Sequence, residues 1–310
     1  MLLIALFFGI SIFAYKKIFK SKDLIVSPLP SFLTVFANDQ VSTLNLWDPI
    51  FEMFDESTNG IPNISAKSAL VYDVTDKKVL FAKNPKEKLP MASLTKIMTA
   101  IVAIESARQD DKYLVFPENL VGENSMGLTA GETLTLEELL YGLILTSGND
   151  AAETLASNFP NGRMQFIEAM NNKAKALGLK NTHFTNPTGL EGDGDQYITT
   201  YDLLVITNYA MQLPLFGKVV RTFDYNIPYS ENHKEFYLEN ETNLLTSYPG
   251  VVGVKDGYTP EAGLCLITYL NYKGHKIIGI ILGSDNRRQE MKNLLDYGLK
   301  LQGITPPKHG

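Results

Sequence analysis

Segments with strand periodicity flank a long block with helical periodicity, and that order restricts the chain more than any other feature. Ala69-Leu-Val-Tyr-Asp-Val74 and Val79-Leu-Phe-Ala82 are apolar and β-branched, and Thr75-Asp-Lys-Lys78 between them reads as a hairpin turn. Pro90 precedes a predicted helix in which Ile97, Ala100, Ile101 and Ile104 recur on one face. Thr135 and Glu138 form a capping box that opens a second helix, whose apolar stripe is Leu136, Leu139, Leu140, Leu143 and Ile144. Further helices are predicted at Ala151 to Ser157, at Arg163 to Leu177 with Gly178 closing it, and at Thr200 to Met211. Strands return at Leu264 to Asn271 and Lys276 to Gly283, and a last amphipathic helix carries Met291, Leu294, Leu295 and Leu299. The early hairpin can complete a sheet with the late strands, which makes the helical block an insertion between them. The predicted class is α+β, an antiparallel sheet of about five strands flanked by helices.

Composition narrows the function classes. Lys and Arg number 28 against 34 Asp and Glu, a net charge of −6, and no basic run follows Lys22, so nucleic acid is not an expected partner. Hydrophobic residues at 45% and charged residues at 20% suit a globular chain rather than a disordered one. The single cysteine, Cys265, excludes an internal disulfide framework, a cysteine-built zinc site and lipid attachment at an N-terminal cysteine. His183, His233, His275 and His309 are scattered, and no metal site is expected from them.

Leu2 to Tyr15 is an apolar run ended by Lys16, Lys17 and Lys20. It is shorter than the ~20 residues of a membrane span and has the length of a signal-peptide core. A signal usually carries its positive charge before the apolar run; lysines after it favour the cytoplasmic side. Residues 1–22 are read as a signal peptide or N-terminal membrane anchor, the other reading being a buried N-terminal helix. Leu24 to Ala37 holds Pro28 and Pro30 and is a poor helix, and from Asp39 the chain is polar around its only tryptophan, Trp47. Residues 23–61 are read as a connector.

Three short motifs carry chemistry, and each alone has an ordinary reading. Ser93-Leu-Thr-Lys96 opens the Ile97 helix, and residues three apart share a helix face, so hydroxyl and amine can meet. The helix N-terminus adds positive potential, and a second cation nearby would depress the amine's pKa enough to make Lys96 a base. The plain alternative is a helix start with an exposed lysine. Ser147-Gly-Asn149 falls at the junction between two apolar helices, where an N-cap serine for the Ala151 helix would serve equally. Lys255-Asp256-Gly257 opens the late β-rich region: Gly257 would let a substrate backbone approach and Lys255 would supply charge, but Asp-Gly is also a common turn pair.

In combination and in this order, the three motifs resemble those of the penicillin-recognising serine enzymes. Leu89-Pro-Met-Ala-Ser-Leu-Thr-Lys-Ile-Met-Thr-Ala100, Ser147-Gly-Asn-Asp-Ala151, Asn186-Pro-Thr-Gly-Leu190 and Gly257-Tyr-Thr-Pro-Glu-Ala-Gly263 look like the D-alanyl-D-alanine carboxypeptidase family, the low-molecular-mass penicillin-binding proteins. The resemblance covers about Pro62 to Leu301. It implies a β-lactamase/DD-peptidase-like fold, a catalytic domain over residues 62–303 and a short tail at 304–310. It also implies a serine-type carboxypeptidase that removes the terminal D-alanine of peptidoglycan stem peptides, without metal or organic cofactor. Ser93 would attack the carbonyl between the two D-alanines, with Lys96 taking its proton. The N–H groups of Ser93 and Tyr258 would form the oxyanion hole. Ser147, bridging Lys96 and Lys255, would pass a proton to the leaving amine. Asn149 would hold a substrate amide, and the stem peptide would pair with the strand from Lys255 to Tyr258. Arg287 would anchor the terminal carboxylate, with Arg288 as the competing candidate. The implied partners are a stem peptide ending in D-Ala-D-Ala and β-lactams as covalent inhibitors. The implied location is the cell envelope, on the outer face of the cytoplasmic membrane or in the periplasm, with membrane contact through the N-terminal segment. Relatives often append an all-β domain and a C-terminal amphipathic anchor, and Gly303 to Gly310 suits neither.

Two departures stand out. Asp256 takes the place of the family's usual threonine, whose hydroxyl donates to the substrate carboxylate; an ionised aspartate only accepts. Either Asp256 pairs with Lys255 or Arg287, or it points away and Thr259 supplies the hydroxyl. Relatives also often carry histidine at the Tyr197 position. Other readings on the same scaffold are a β-lactamase, for which Glu239-Asn-Glu-Thr-Asn243 has the letters of the water-activating motif but lies close before Lys255; a catalytically silent peptidoglycan-binding protein, which Asp256 would favour; and an endopeptidase acting on cross-links.

Overall fold

The computed structural model describes residues 60–309 apart from Asn243. The signal or anchor expected at 1–22 and nearly all of the connector lie outside the described residues.

The predicted hairpin is Ser68–Asp73 (β1) and Lys78–Lys83 (β2), paired antiparallel with Ala69 opposite Lys83. Every residue of β1 is buried, as expected of a strand with neighbours on both sides. Its second neighbour is the strand His275–Ser284, with Leu70 opposite Ile280. After β2 come a 3₁₀ turn at Ala92–Thr95, helix α1 at Lys96–Glu105, and the short strands β3 (Tyr113–Leu114) and β4 (Thr133–Leu134). Helices α2 (Leu136–Leu145), α3 (Asn149–Ser157), α4 (Arg163–Ala176), α5 (Thr200–Ala210) and α6 (Pro214–Val220) follow. A hairpin of β5 (Asp224–Ile227) and β6 (Phe236–Glu239), then a single turn α7 (Leu244–Ser247), lead into β7 (Val251–Thr259), β8 (Gly263–Tyr272), β9 (His275–Ser284) and α8 (Arg287–Leu301). The sheet order is β2-β1-β9-β8-β7, so the first and last strands of the chain share one five-stranded antiparallel sheet and the helices are inserted between them. The fold is the α+β arrangement that the order of periodicities predicts.

Both faces of that logic are visible in the packing. Met291, Leu294, Leu295 and Leu299 of α8 are fully buried and cover the sheet through Val71, Leu266, Leu270, Ile277 and Ile281. Each such side chain contributes roughly 1.5–3 kcal/mol on burial. Helix α1 is buried from Lys96 to Ala103 and contacts α2, α3, α4 and α5, so it is the axis of the helical block. The Thr135–Glu138 capping box is formed in both directions. Short elements went unanticipated: α6, which starts on Pro214 at its first turn, and the β5–β6 hairpin. Strand β7 begins at Val251, four residues ahead of Lys255, with a bulge between Val251 and Val254. Among the described residues no single helix is long and apolar enough to cross a membrane.

Candidate active site

Two pieces of backbone press on the turn that carries Ser93. Ala92 adopts a left-handed φ of 49°, and Gly189, at φ 87°, lies so close that a Cβ placed on it would stand 1.9 Å from the Ala92 carbonyl oxygen. From the other side β7 packs on the turn, and a Cβ on Gly257 would stand 3.0 Å from the Ser93 amide nitrogen. Ser93 is half-buried between them.

Lys96, the first residue of α1, is completely buried. Its Nζ lies 3.0 Å from Ser93 Oγ, 2.7 Å from Asn149 Oδ1 and 2.7 Å from the Thr188 carbonyl oxygen. Burial first, and then the positive charge of Lys255, hold the Lys96 amine well below the usual lysine value. A neutral amine has two N–H groups and one lone pair. Asn149 Oδ1 and the Thr188 carbonyl can only accept, so they take both N–H groups and leave the lone pair facing the Ser93 hydroxyl. That is the orientation a base needs.

The Asn186-Pro-Thr-Gly-Leu190 segment, which carried no role in the sequence, builds this acceptor. Buried Asn186 accepts through Oδ1 from Thr188 N, Thr188 Oγ1 and Gly189 N, and donates through Nδ2 to the Leu190 carbonyl. The loop so fixed delivers the Thr188 carbonyl to Lys96 and Gly189 to Ala92.

The second motif sits where α2 ends and α3 begins. Ser147 is buried with a left-handed φ of 57°, and Gly148, not Ser147, is the N-cap of α3, which corrects the plain N-cap reading. Among the described residues the Ser147 hydroxyl makes no hydrogen bond to either lysine: Lys96 bonds to Ser93, Asn149 and Thr188, and Lys255 to Asp256. The expected bridge is therefore not formed in this structure. Asn149 is buried and turns its oxygen to Lys96. Asp150, unassigned in the sequence, is fully buried and accepts from Met126 N, Gly127 N, Leu128 N and Ser125 Oγ, which ties the 125–128 loop to the start of α3.

The third motif lies on β7. Lys255 is completely buried and donates to Asp256 Oδ1 at 2.9 Å, while Arg287, the first residue of α8, donates to Asp256 Oδ2 at 2.6 Å. Arg287 also donates to the carbonyls of Gly257 at 2.6 Å and Cys265 at 3.3 Å. Burial alone would raise the Asp256 carboxyl, but the charges of Lys255 and Arg287 outweigh it and hold the group below the ordinary aspartate value. Of the two arrangements open to Asp256, the paired one is present. Thr259 is engaged elsewhere, accepting from Ala262 N and bonding to Glu191. Tyr258 is 61% exposed, and Arg288 is exposed, so Arg287 rather than Arg288 faces the motif. Glu241, whose amide donates to the Leu145 carbonyl at the end of α2, adds a further carboxylate to the field of Lys96, Lys255, Asp256 and Arg287.

Beside the turn runs a groove lined by Met91, Ala92, Glu191, Tyr197, Thr259 and Glu261. Tyr197 has Lys88 over its ring at 4.6 Å to the centroid. Glu239, the first letter of the β-lactamase-like string, ends β6 on an exposed face, and Asn243 lies outside the described residues. Among the described residues the cluster with metal-ligand chemistry is Asp73, Asp76 and His275, at the opposite end of β9 from Arg287. Its buried member, Asp73, already accepts from Thr75 N, Asp76 N, His275 and Gln302.

Residues 55–286 match the family described as D-alanyl-D-alanine carboxypeptidase. The chain is 34% identical over 250 residues to the D-alanyl-D-alanine carboxypeptidase DacF of Bacillus subtilis, a match that covers 78% of this chain and 64% of that one. The chain thus spans less than two thirds of that relative's length. It is 32% identical over 215 residues to a D-alanyl-D-alanine endopeptidase of Pseudomonas aeruginosa, covering 67% of this chain and 69% of the relative. Its fold superimposes on the crystal structure of the Streptomyces K15 DD-transpeptidase with a TM-score of 0.72 at 31% identity, covering 77% of this chain and 98% of that one.

Proposed function

The chain belongs to the D-alanyl-D-alanine carboxypeptidase family, and from that membership we propose that it is a serine-type D-Ala-D-Ala carboxypeptidase acting on peptidoglycan stem peptides through a Ser93 acyl-enzyme. The observation that carries this reading is the Lys96 amine, buried with no carboxylate bonded to it among the described residues, 3.0 Å from Ser93 Oγ and with its other two partners both acceptors.

The chemistry then follows from the side chains present. Lys96 takes the Ser93 proton as Oγ attacks the carbonyl between the two D-alanines, and a tetrahedral oxyanion forms. The Ser93 amide, beside which Gly257 passes without a side chain, and the amide of Tyr258 stabilise that oxyanion. The C–N bond breaks, the leaving D-alanine amine receives a proton by way of Ser147, and the acyl chain stays on Ser93. Water then attacks the ester, Lys96 again accepting a proton, and as the C–O bond breaks Lys96 returns that proton to Ser93 Oγ. The peptide lies extended along β7, with Asn149 close enough to Lys96 to hold a substrate amide beside the reacting bond. β-Lactams acylate the same hydroxyl. The site of action is the cell envelope, reached through residues 1–22 as export signal or anchor, and fractionation of cells expressing the full chain tests that placement.

The direct test is incubation of the purified chain with a fluorescent penicillin and, separately, with a D-Ala-D-Ala peptide, each followed by intact mass and peptide mapping. An adduct on Ser93 together with released D-alanine is the expected result. A folded protein that forms no adduct from either compound rules the reading out.

A further inference from the structure

Lys255 and Arg287 are the two cations of the third motif, and a bidentate carboxylate is what such a pair is built to bind. In this chain they already hold one. Asp256 Oδ1 takes the Lys255 ammonium at 2.9 Å and Asp256 Oδ2 takes the Arg287 guanidinium at 2.6 Å. Asp256 is only 7% exposed, and a second Arg287 nitrogen, Nη1, donates to the Gly257 and Cys265 carbonyls. Pairing spares Asp256 from being a lone buried charge, but it removes the same two cations from any incoming anion. Lys96, whose amine burial holds well below the usual lysine value, adds no third cation as a base. Both cations are thus paired with Asp256 before any substrate arrives.

A peptide ending in a free carboxylate must either displace Asp256 from both ion pairs, stranding it in a buried place, or stand beside it as a like charge. A neutral leaving residue meets neither penalty. An ionised carboxylate accepts and cannot donate, so the edge that Asp256 presents suits N–H groups, those of a carboxamide or of a continuing peptide.

We propose that Asp256 occupies the anion pocket formed by Lys255 and Arg287, and that the enzyme thereby cleaves D-Ala-D-Ala substrates whose leaving residue is amidated or continued into further peptide faster than it cleaves the free acid. This rests on the Ser93 acyl-enzyme reading and ranks the substrates of that site, the free-acid end of the carboxypeptidase reaction being the slower one.

The test uses the full chain and three peptides with one common stem, ending in D-Ala-D-Ala as the free acid, as the carboxamide, and extended by one amidated residue. Specificity constants, kcat/KM, are measured for the wild type, Asp256→Asn and Asp256→Thr. The wild type is expected to prefer the carboxamide or the extended peptide to the acid by tenfold or more, and which of the two leads separates amidated ends from cross-links. Both variants are expected to shift the acid-to-amide ratio at least tenfold toward the acid. A wild type that prefers the acid overturns the inference without any variant, as does a ratio that both variants leave unmoved. If no peptide is cleaved and none acylates Ser93, the acyl-enzyme reading itself falls and takes the inference with it.

Discussion

The carbonyl oxygen of Thr188 accepts a 2.7 Å hydrogen bond from the amine of Lys96, which lies 92 residues earlier in the chain. This contact, with the one from Asn149, decides which way the amine's lone pair points. A lysine in a buried site without a carboxylate partner is costly to protonate. Here the surroundings turn that cost into a base aimed at Ser93.

The acylation rate should therefore rise with pH through a midpoint well below the ordinary lysine value of 10.5. Lys96→Arg should abolish acylation, because a guanidinium stays protonated. Stability moves the same way. The unfolded chain binds a proton at Lys96 below 10.5 that the folded chain does not, so stability rises with pH between the two values and falls on acidification. Acylation rates measured across pH by a fluorescent penicillin check the first point, and urea denaturation at several pH values checks the second, with Lys96→Met giving a flatter profile.

Ser93→Ala should lower D-alanine release by on the order of 10³-fold or more while shifting the melting temperature little, since one half-buried hydroxyl is lost and the backbone is kept. Release assayed beside circular dichroism of the same sample checks both halves. Retained turnover would place the nucleophile elsewhere.

Gly189→Ala should disable the site from a distance. The added Cβ meets the Ala92 carbonyl at 1.9 Å, and the position is left-handed as well, so the turn or the loop must move. Destabilisation of about 2–4 kcal/mol is expected from the clash and strain together. The acylation rate should fall further than stability alone explains, because the Thr188 carbonyl moves with the loop. Denaturant melts and acylation rates on one preparation separate the two effects.

Lys173→Met tests the scaffold without touching the site. Lys173 on α4 is nearly buried, 2.6 Å from Glu105 Oε1 at the end of α1 and 2.8 Å from the Tyr209 hydroxyl on α5. Removing the cation leaves Glu105 beside Tyr209 without its counter-charge, at a cost of about 3–5 kcal/mol. A melting temperature lowered by roughly 10 °C is expected for a chain of this size. Replacing Glu105 by Gln in the same background should recover part of the loss.

How far the sequence could be read depended on whether the determinant was local. Helix α1 was legible because Ile97, Ala100 and Ile101 share a face, and α2 because Thr135 and Glu138 cap each other three residues apart. The meeting of Ser93 and Lys96 is likewise a matter of helical spacing. Elements set by tertiary packing were not legible. The seven residues of α6 are too few to show a period, and the bulge in β7 depends on Gly253, where a Cβ would meet Val220 at 2.9 Å. The role of Asn186 is an inward-facing turn, whose letters suit any loop. Asp256 was visible as an oddity, but its double pairing requires Arg287, thirty-one positions later, to return across the strand. Ser147 shows the reverse: its place between α2 and α3 is legible in the sequence, whereas its left-handed backbone is not.

The placement of β1 between β2 and β9 also sets an order of events at the ribosome. Ser93 and its lysine are synthesised well before Gly257, which closes over them, and β1 has one open edge until His275–Ser284 arrives to pair with it. A chain cut short before Ile277 would leave that edge of β1 unpaired, the kind of edge that recruits other chains.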